Sequence, residues 1–176
     1  DGTLKLGSNS VLNLGTADAL AGLAIGVNND SNGGNAVGVF DALETEADVN
    51  LHLSSLVVGS SRGGAATGTL KWNQSEVIDA DDVYFGNGGV GVLEVPTAGT
   101  VKLGSAADPI NNLYIARVGS NNAFADIDLS LTDPFFETHV SNSLRIGEKT
   151  STSGGGTQDG TLKLGSNSVL NLGTAD

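Results

Sequence analysis

Asp1–Asp18, DGTLKLGSNSVLNLGTAD, is the stretch on which the fold turns, because the same eighteen residues return unchanged at Asp159–Asp176. The return comes after 158 residues, so the chain is a piece of something built by repetition, or carries a copied segment. Inside the motif, Thr3-Leu4-Lys5-Leu6 and Val11-Leu12-Asn13-Leu14 place an apolar residue at every second position. That period of two belongs to a strand with one buried face. Gly, Ser and Asn between the two stretches supply the turn.

Working outward, the opening Gly2-Thr3-Leu4-Lys5-Leu6 is echoed by Gly38-Val39-Phe40-Asp41-Ala42, Gly68-Thr69-Leu70-Lys71-Trp72 and Gly91-Val92-Leu93-Glu94-Val95. A divergent copy, Ile127-Asp128-Leu129-Ser130-Leu131, precedes the return at Gly160. Successive copies start 36, 30, 23, 36 and 33 residues apart. A second echo runs through Leu23–Gly26, Leu56–Gly59, Val83–Gly86, Leu113–Ala116 and Leu144–Gly147. Between the two lie Leu12-Asn13-Leu14, Leu51-His52-Leu53 and Val101-Lys102-Leu103, with no clear middle member in the third and fifth units. The spacing of 23 predicts a third unit with one side shortened.

Each unit therefore reads as two or three short strands separated by turns, and one such unit cannot bury its own apolar edge. Stacked on its neighbours it can. The expected fold is all-β, a parallel β-helix or solenoid of about five rungs per block. Residues 1–158 form one block, and 159–176 are the start of the next identical block or a copied N-terminal strand segment. The Gly/Ser/Asn-rich connectors vary in length while the strands keep their pattern, which places them at one corner of the coil.

Gly2–Gly15, Leu20–Gly26 and the run Leu144–Gly165 share a rhythm of Gly-Thr-Leu strands and Gly/Ser/Asn corners. In this the chain resembles the right-handed parallel β-helix repeats of bacterial surface proteins, and is similar to autotransporter passenger-associated repeats. The resemblance implies a secreted or surface-attached fibre, an adhesin stalk or a sheath component. It carries over no catalytic or ligand residue.

The totals narrow the function classes. Twenty acidic residues stand against eight basic ones, a net charge of -12. Phosphate recognition needs a basic face, so no nucleic-acid partner is expected. Cysteine is absent, which removes disulfides, thiolate metal sites and a thiol nucleophile. Methionine is absent even at position 1, so the chain reads as a processed or excised stretch. The longest apolar candidate, Ala19–Val27, is interrupted by Gly22 and Gly26, and no membrane insertion is expected.

Few residues invite chemistry. Asp79, Asp81 and Asp82, near Glu76, are the densest acidic group, and Ca2+ is the ion such carboxylates would hold. The competing and preferred reading is a solvated corner. No catalytic residue and no cofactor is expected, since no G-x-S-x-G elbow appears and the two histidines lie 87 residues apart. Strand alternation points His52 outward, and Arg62, Arg117 and Arg145 are expected to pair with carboxylates on adjacent rungs. Trp72 is read as core filling, with an exposed carbohydrate-binding aromatic as the alternative. Phe135-Phe136 would plug a corner or anchor a contact between fibres.

The repeated motif is the candidate assembly junction, through Thr3, Leu4, Leu6, Leu12 and Leu14 and their counterparts Thr161, Leu162, Leu164, Leu170 and Leu172. Its second copy begins where the rung spacing calls for a new unit, which favours a tandem array or a finite length of a continuous fibre. Strand donation between subunits is the alternative, since an incomplete sheet exposes unpaired backbone groups. The partner expected is the chain itself, end to end and laterally, and the place is the cell surface or outside the cell. A carbohydrate-binding surface adhesin stands behind both readings.

Overall fold

The computed structural model describes residues 1–31, 33–118, 121–151 and 155–173, and every named element among them is a β-strand. Strands β1 (Gly2–Lys5), β2 (Val11–Leu14) and β3 (Ala21–Asn28) make the first rung. β4 (Asn35–Ala42) and β5 (Asp48–Ser61) make the second, and β6 (Ala65–Trp72) and β7 (Val77–Asn87) the third. β8 (Val90–Glu94), β9 (Thr100–Leu103) and β10 (Ile110–Val118) form the fourth. β11 (Ala123–Asp128) and β12 (Phe135–Lys149) form the fifth, and β13 (Gln158–Lys163) and β14 (Ser168–Leu172) open a sixth. The fold is a parallel β-solenoid.

The coil has three faces. The first is a six-stranded ladder, β1-β4-β6-β8-β11-β13, with every neighbour parallel. The second stacks β2, the start of β5, the start of β7, β9, the start of β12, and β14. The third stacks β3, the ends of β5 and β7, β10, and the end of β12. The long strands β5, β7 and β12 thus serve two faces each. Where β5 and β7 turn the corner the in–out alternation slips by one, leaving Ser54-Ser55 and Asp81-Asp82 as adjacent outward pairs.

Inward positions join into one apolar cluster built from Leu, Val, Ile and Ala, with Trp72, Phe40, Phe85 and Phe136 among its largest members. Trp72 is 0% exposed and packs edge-on to Phe40 at 6.3 Å between ring centroids. This removes the carbohydrate-binding alternative for Trp72. Phe136 is buried, whereas Phe135 alternates outward.

Three details of the repeat differ from the pattern read in the sequence. The middle sides of the third and fifth units exist, as Val77–Ala80 and Phe135–Val140, fused into β7 and β12. The third rung has all its sides, and its brevity comes from tighter corners. Six residues separate Phe85 from Gly91, where ten separate the equivalent Val58 from Gly68. The fifth unit starts at Ala125, which pairs with Gly91 below and Gly160 above, two residues before Ile127. Leu129 then takes the inward place parallel to Trp72, and Leu131 lies in the following turn, 88% exposed.

The Gly/Ser/Asn-rich connectors emerge where the third face returns to the first, while a second variable set, residues 15–20 and 104–109, joins the second face to the third in two rungs. Asn28 ties the first set in place: its amide donates to the Gly34 and Ala65 carbonyls at 3.0 and 3.3 Å, and its Oδ1 accepts the Asp30 N–H at 2.9 Å.

Candidate functional site

The acidic group does not converge. Asp79, on the second face, sits 2.6 Å from His52 Nδ1, its register partner on the rung below. Asp81 is exposed at the corner. Asp82, on the third face, accepts from Asn112 at 2.7 Å and from the Tyr84 hydroxyl at 3.3 Å. Among the described residues no three acidic or histidine side chains are grouped to hold a metal. His52 points outward, and its carboxylate partner on the next rung lies beyond what sequence reading resolves.

Further along the third face, Tyr84 and Tyr114 stack at 4.7 Å, with Arg117 4.5 Å from the Tyr114 ring centre. Burial, then the Asp82 charge, pushes the Tyr84 hydroxyl up to about 12. Arg117 pairs with Glu148 across rungs at 2.6 Å, as expected, while Arg145 reaches the same carboxylate from within its own rung. Burial would raise Glu148, but hydrogen bonds from the two arginines outweigh it and hold the carboxyl below its usual range. The stacked rings and the Arg117–Glu148 pair are rung-to-rung ties, unlike the Arg145 pair. A recess of about 510 Å³ opens where the third rung's connector is shortest, and it is lined by Gly63, Gly64, Gly88, Gly89, Asn121 and Phe124 among others, none charged.

The two copies of the repeated motif give a different result. In β1, Gly2, Thr3, Leu4 and Lys5 pair with Gly38, Val39, Phe40 and Asp41 of the rung that follows. In β13 the same four residues, Gly160, Thr161, Leu162 and Lys163, pair with Ala125, Asp126, Ile127 and Asp128 of the rung that precedes. The second face repeats this: Leu12 and Leu14 lie against Val49 and Leu51, Leu170 and Leu172 against Thr138 and Val140. Leu12, Leu14, Leu162 and Leu164 pack on the core, and Leu6 is buried. One motif is therefore seen twice, each time through the opposite edge.

The groups used at the two edges complement one another. Leu6 N–H donates to Asp41 at 2.9 Å, whereas in the second copy the Lys163 carbonyl accepts from Leu129 at 2.9 Å. Asn13 accepts through Oδ1 from Asn50 at 3.0 Å. Its counterpart Asn171 offers its Nδ2 to His139 Nδ1 at 3.3 Å, while His139 Nε2 lies 2.8 Å from Glu137. Lys5 lies 3.8 Å from Asp41, and Lys163 2.8 Å from Asp128. In a continuous stack one lysine would sit between Asp128 and Asp41, and one asparagine between His139 and Asn50.

Glycine follows the same logic. Gly38, Gly68 and Gly91 each lie against the left-handed residue that closes the rung before: Gly26, Gly59 and Gly86. Gly160 lies likewise against Gly147, and Gly2 meets nothing within 4 Å. The turn is a place of conflict among the described residues. Asn9 N–H donates to Glu46 at 3.2 Å, and the same group in the second copy, Asn167 N–H, donates to Asp133 at 3.1 Å.

Neither a protein family, nor a curated protein, nor a solved structure matches the chain.

Proposed function

We propose that the chain is a structural repeat unit of an extracellular filament, stalk or sheath, a 158-residue block that continues into identical neighbours end to end. The observation that carries this is the motif's use of opposite edges in its two copies, in one register and with complementary donors and acceptors. Stacked strands are about 4.8 Å apart, so five rungs add roughly 24 Å of axis per block. Backbone hydrogen bonds run along the fibre, apolar ladders fill it, and the acidic exterior keeps it solvated. The resemblance to β-helix repeats of bacterial surface proteins supports the extracellular placement.

The test is a chain of two periods followed by residues 1–18, studied by small-angle scattering beside the single period. One rod lengthened by about 24 Å is expected. Two bodies joined by a flexible link would overturn the reading.

A further inference from the structure

The second copy of the motif rebuilds only two of the three faces. β13 covers β11 and β14 covers the start of β12, but along Ser143–Lys149 the edge of β12 away from β10 faces no strand among the described residues. Its residues belong to the interior ladders nonetheless. Each third-face strand aligns the residue before its left-handed position with the next: Ile25 with Val58, Val58 with Phe85, Phe85 with Ile115, and Ile115 with Ile146. The first four are at most 5% exposed, whereas Ile146 is 46% exposed. Leu144 likewise continues the ladder of Leu23, Leu56, Val83 and Leu113.

We infer that the β12 edge Ser143–Lys149 is the docking seat for the β3 strand, Ala21–Asn28, of the next copy of this block. The inference rests on the repeat-unit reading and adds the site that locks its junction. The occupant is fixed by what already lies beside the seat: β13 and β14 have the sequence of β1 and β2, and in the first rung the third side after them is β3. The register follows from the left-handed residues, with Gly26 falling against Gly147, φ 64° and 68°. Leu23 then covers Leu144 and Ile25 covers Ile146. Ala24 falls beside Arg145, small enough to leave that guanidinium on Glu148. Apolar meets apolar at both inward positions, and no carboxylate is placed beside another.

The test lengthens the full chain by Ala19–Asn28, the residues that follow the motif at its first occurrence, and compares it with a scrambled extension. Hydrogen exchange of Ser143–Lys149 amides should slow by at least about tenfold with the native extension alone. Ile146→Lys, at a half-exposed position of the unextended chain, should lower the melting temperature more in the extended chain than in the unextended one. Equal protection by both extensions, or none by either, overturns the inference, as does an Ile146→Lys effect that is the same in both lengths. A two-period chain that is rod-like while this seat stays unprotected would sink the inference and leave the repeat-unit reading standing.

Discussion

At the residue scale, the glycines that recur as Gly26, Gly59, Gly86 and Gly147 do two jobs at once. Each has a φ between 64° and 75°, the left-handed region that turns the third face toward the next rung. At Gly59 a Cβ would also fall on the Val90 carbonyl oxygen of β8, the first-face strand two rungs on. The angle alone is borne by Ala116, φ 58°, so the carbonyl makes the larger contribution at Gly59. Gly59→Ala is expected to cost about 2–4 kcal/mol by chemical denaturation. Gly34→Ala, with φ 93° and nothing within 4 Å, should cost only about 1 kcal/mol. Trp72 shows the limit of reading one residue at a time. Its place in the Leu6 ladder was legible, and that ladder is interior; the partner that fills the space beside it, Phe40 on the previous rung, emerges only from the stacking.

At the element scale, β13 is held by side chains that titrate. The hydrogen bond from Lys163, with those from Ser130, holds the Asp128 carboxyl down at about 2, and Ser166 with Asn167 holds Asp133 below its ordinary value. A depressed carboxyl stabilises the folded arrangement above the unfolded value of about 4, and that contribution is lost as pH falls from about 4 toward 2. Protection factors of the Thr161–Lys163 amides, corrected for the intrinsic pH dependence of exchange, should therefore be lower at pH 2.5 than at pH 6. An NMR titration of Lys163→Gln should show the Asp128 midpoint move up toward 4. A midpoint that stays near 2 would show that Ser130 alone suffices.

The strands of the first face were legible because Gly-Thr-Leu puts a corner and an alternation in adjacent positions. β7 and β12 hid their second-face halves because inward places there are held by Ala80 and Thr138, which are weak apolar signals; the chain changes face within a strand, through Asp81-Asp82 in β7 and Ser141–Ser143 in β12. The fifth unit begins two residues before its clearest alternation for a related reason. Ala125 stands where the others carry glycine, and Ile127-Asp128-Leu129 still alternates correctly from a shifted start. Period-two patterns fix which side chains point inward and leave the register free by steps of two. Only the neighbouring strand resolves that ambiguity, and for the same reason the two-edged use of Asn13 and Asn171 could not be read from the motif.

At the scale of the whole molecule, the chain's net charge of -12 includes -1 from the second copy (Asp159, Lys163 and Asp176), leaving -11 for each 158-residue period. In the proposed fibre, parallel rods carrying that density would repel over about 8 Å at physiological salt, which would favour growth along the axis over bundling. The three-sided winding has one more outcome, for tension applied between the ends. A rung holds about 32 residues yet advances the axis by only about 5 Å, so peeling one rung frees about 100 Å of slack. Pulled in a single-molecule force experiment, the chain should pay out in steps of about that length. The rungs not yet peeled would still be wound, each a reserve of extension held by its neighbours.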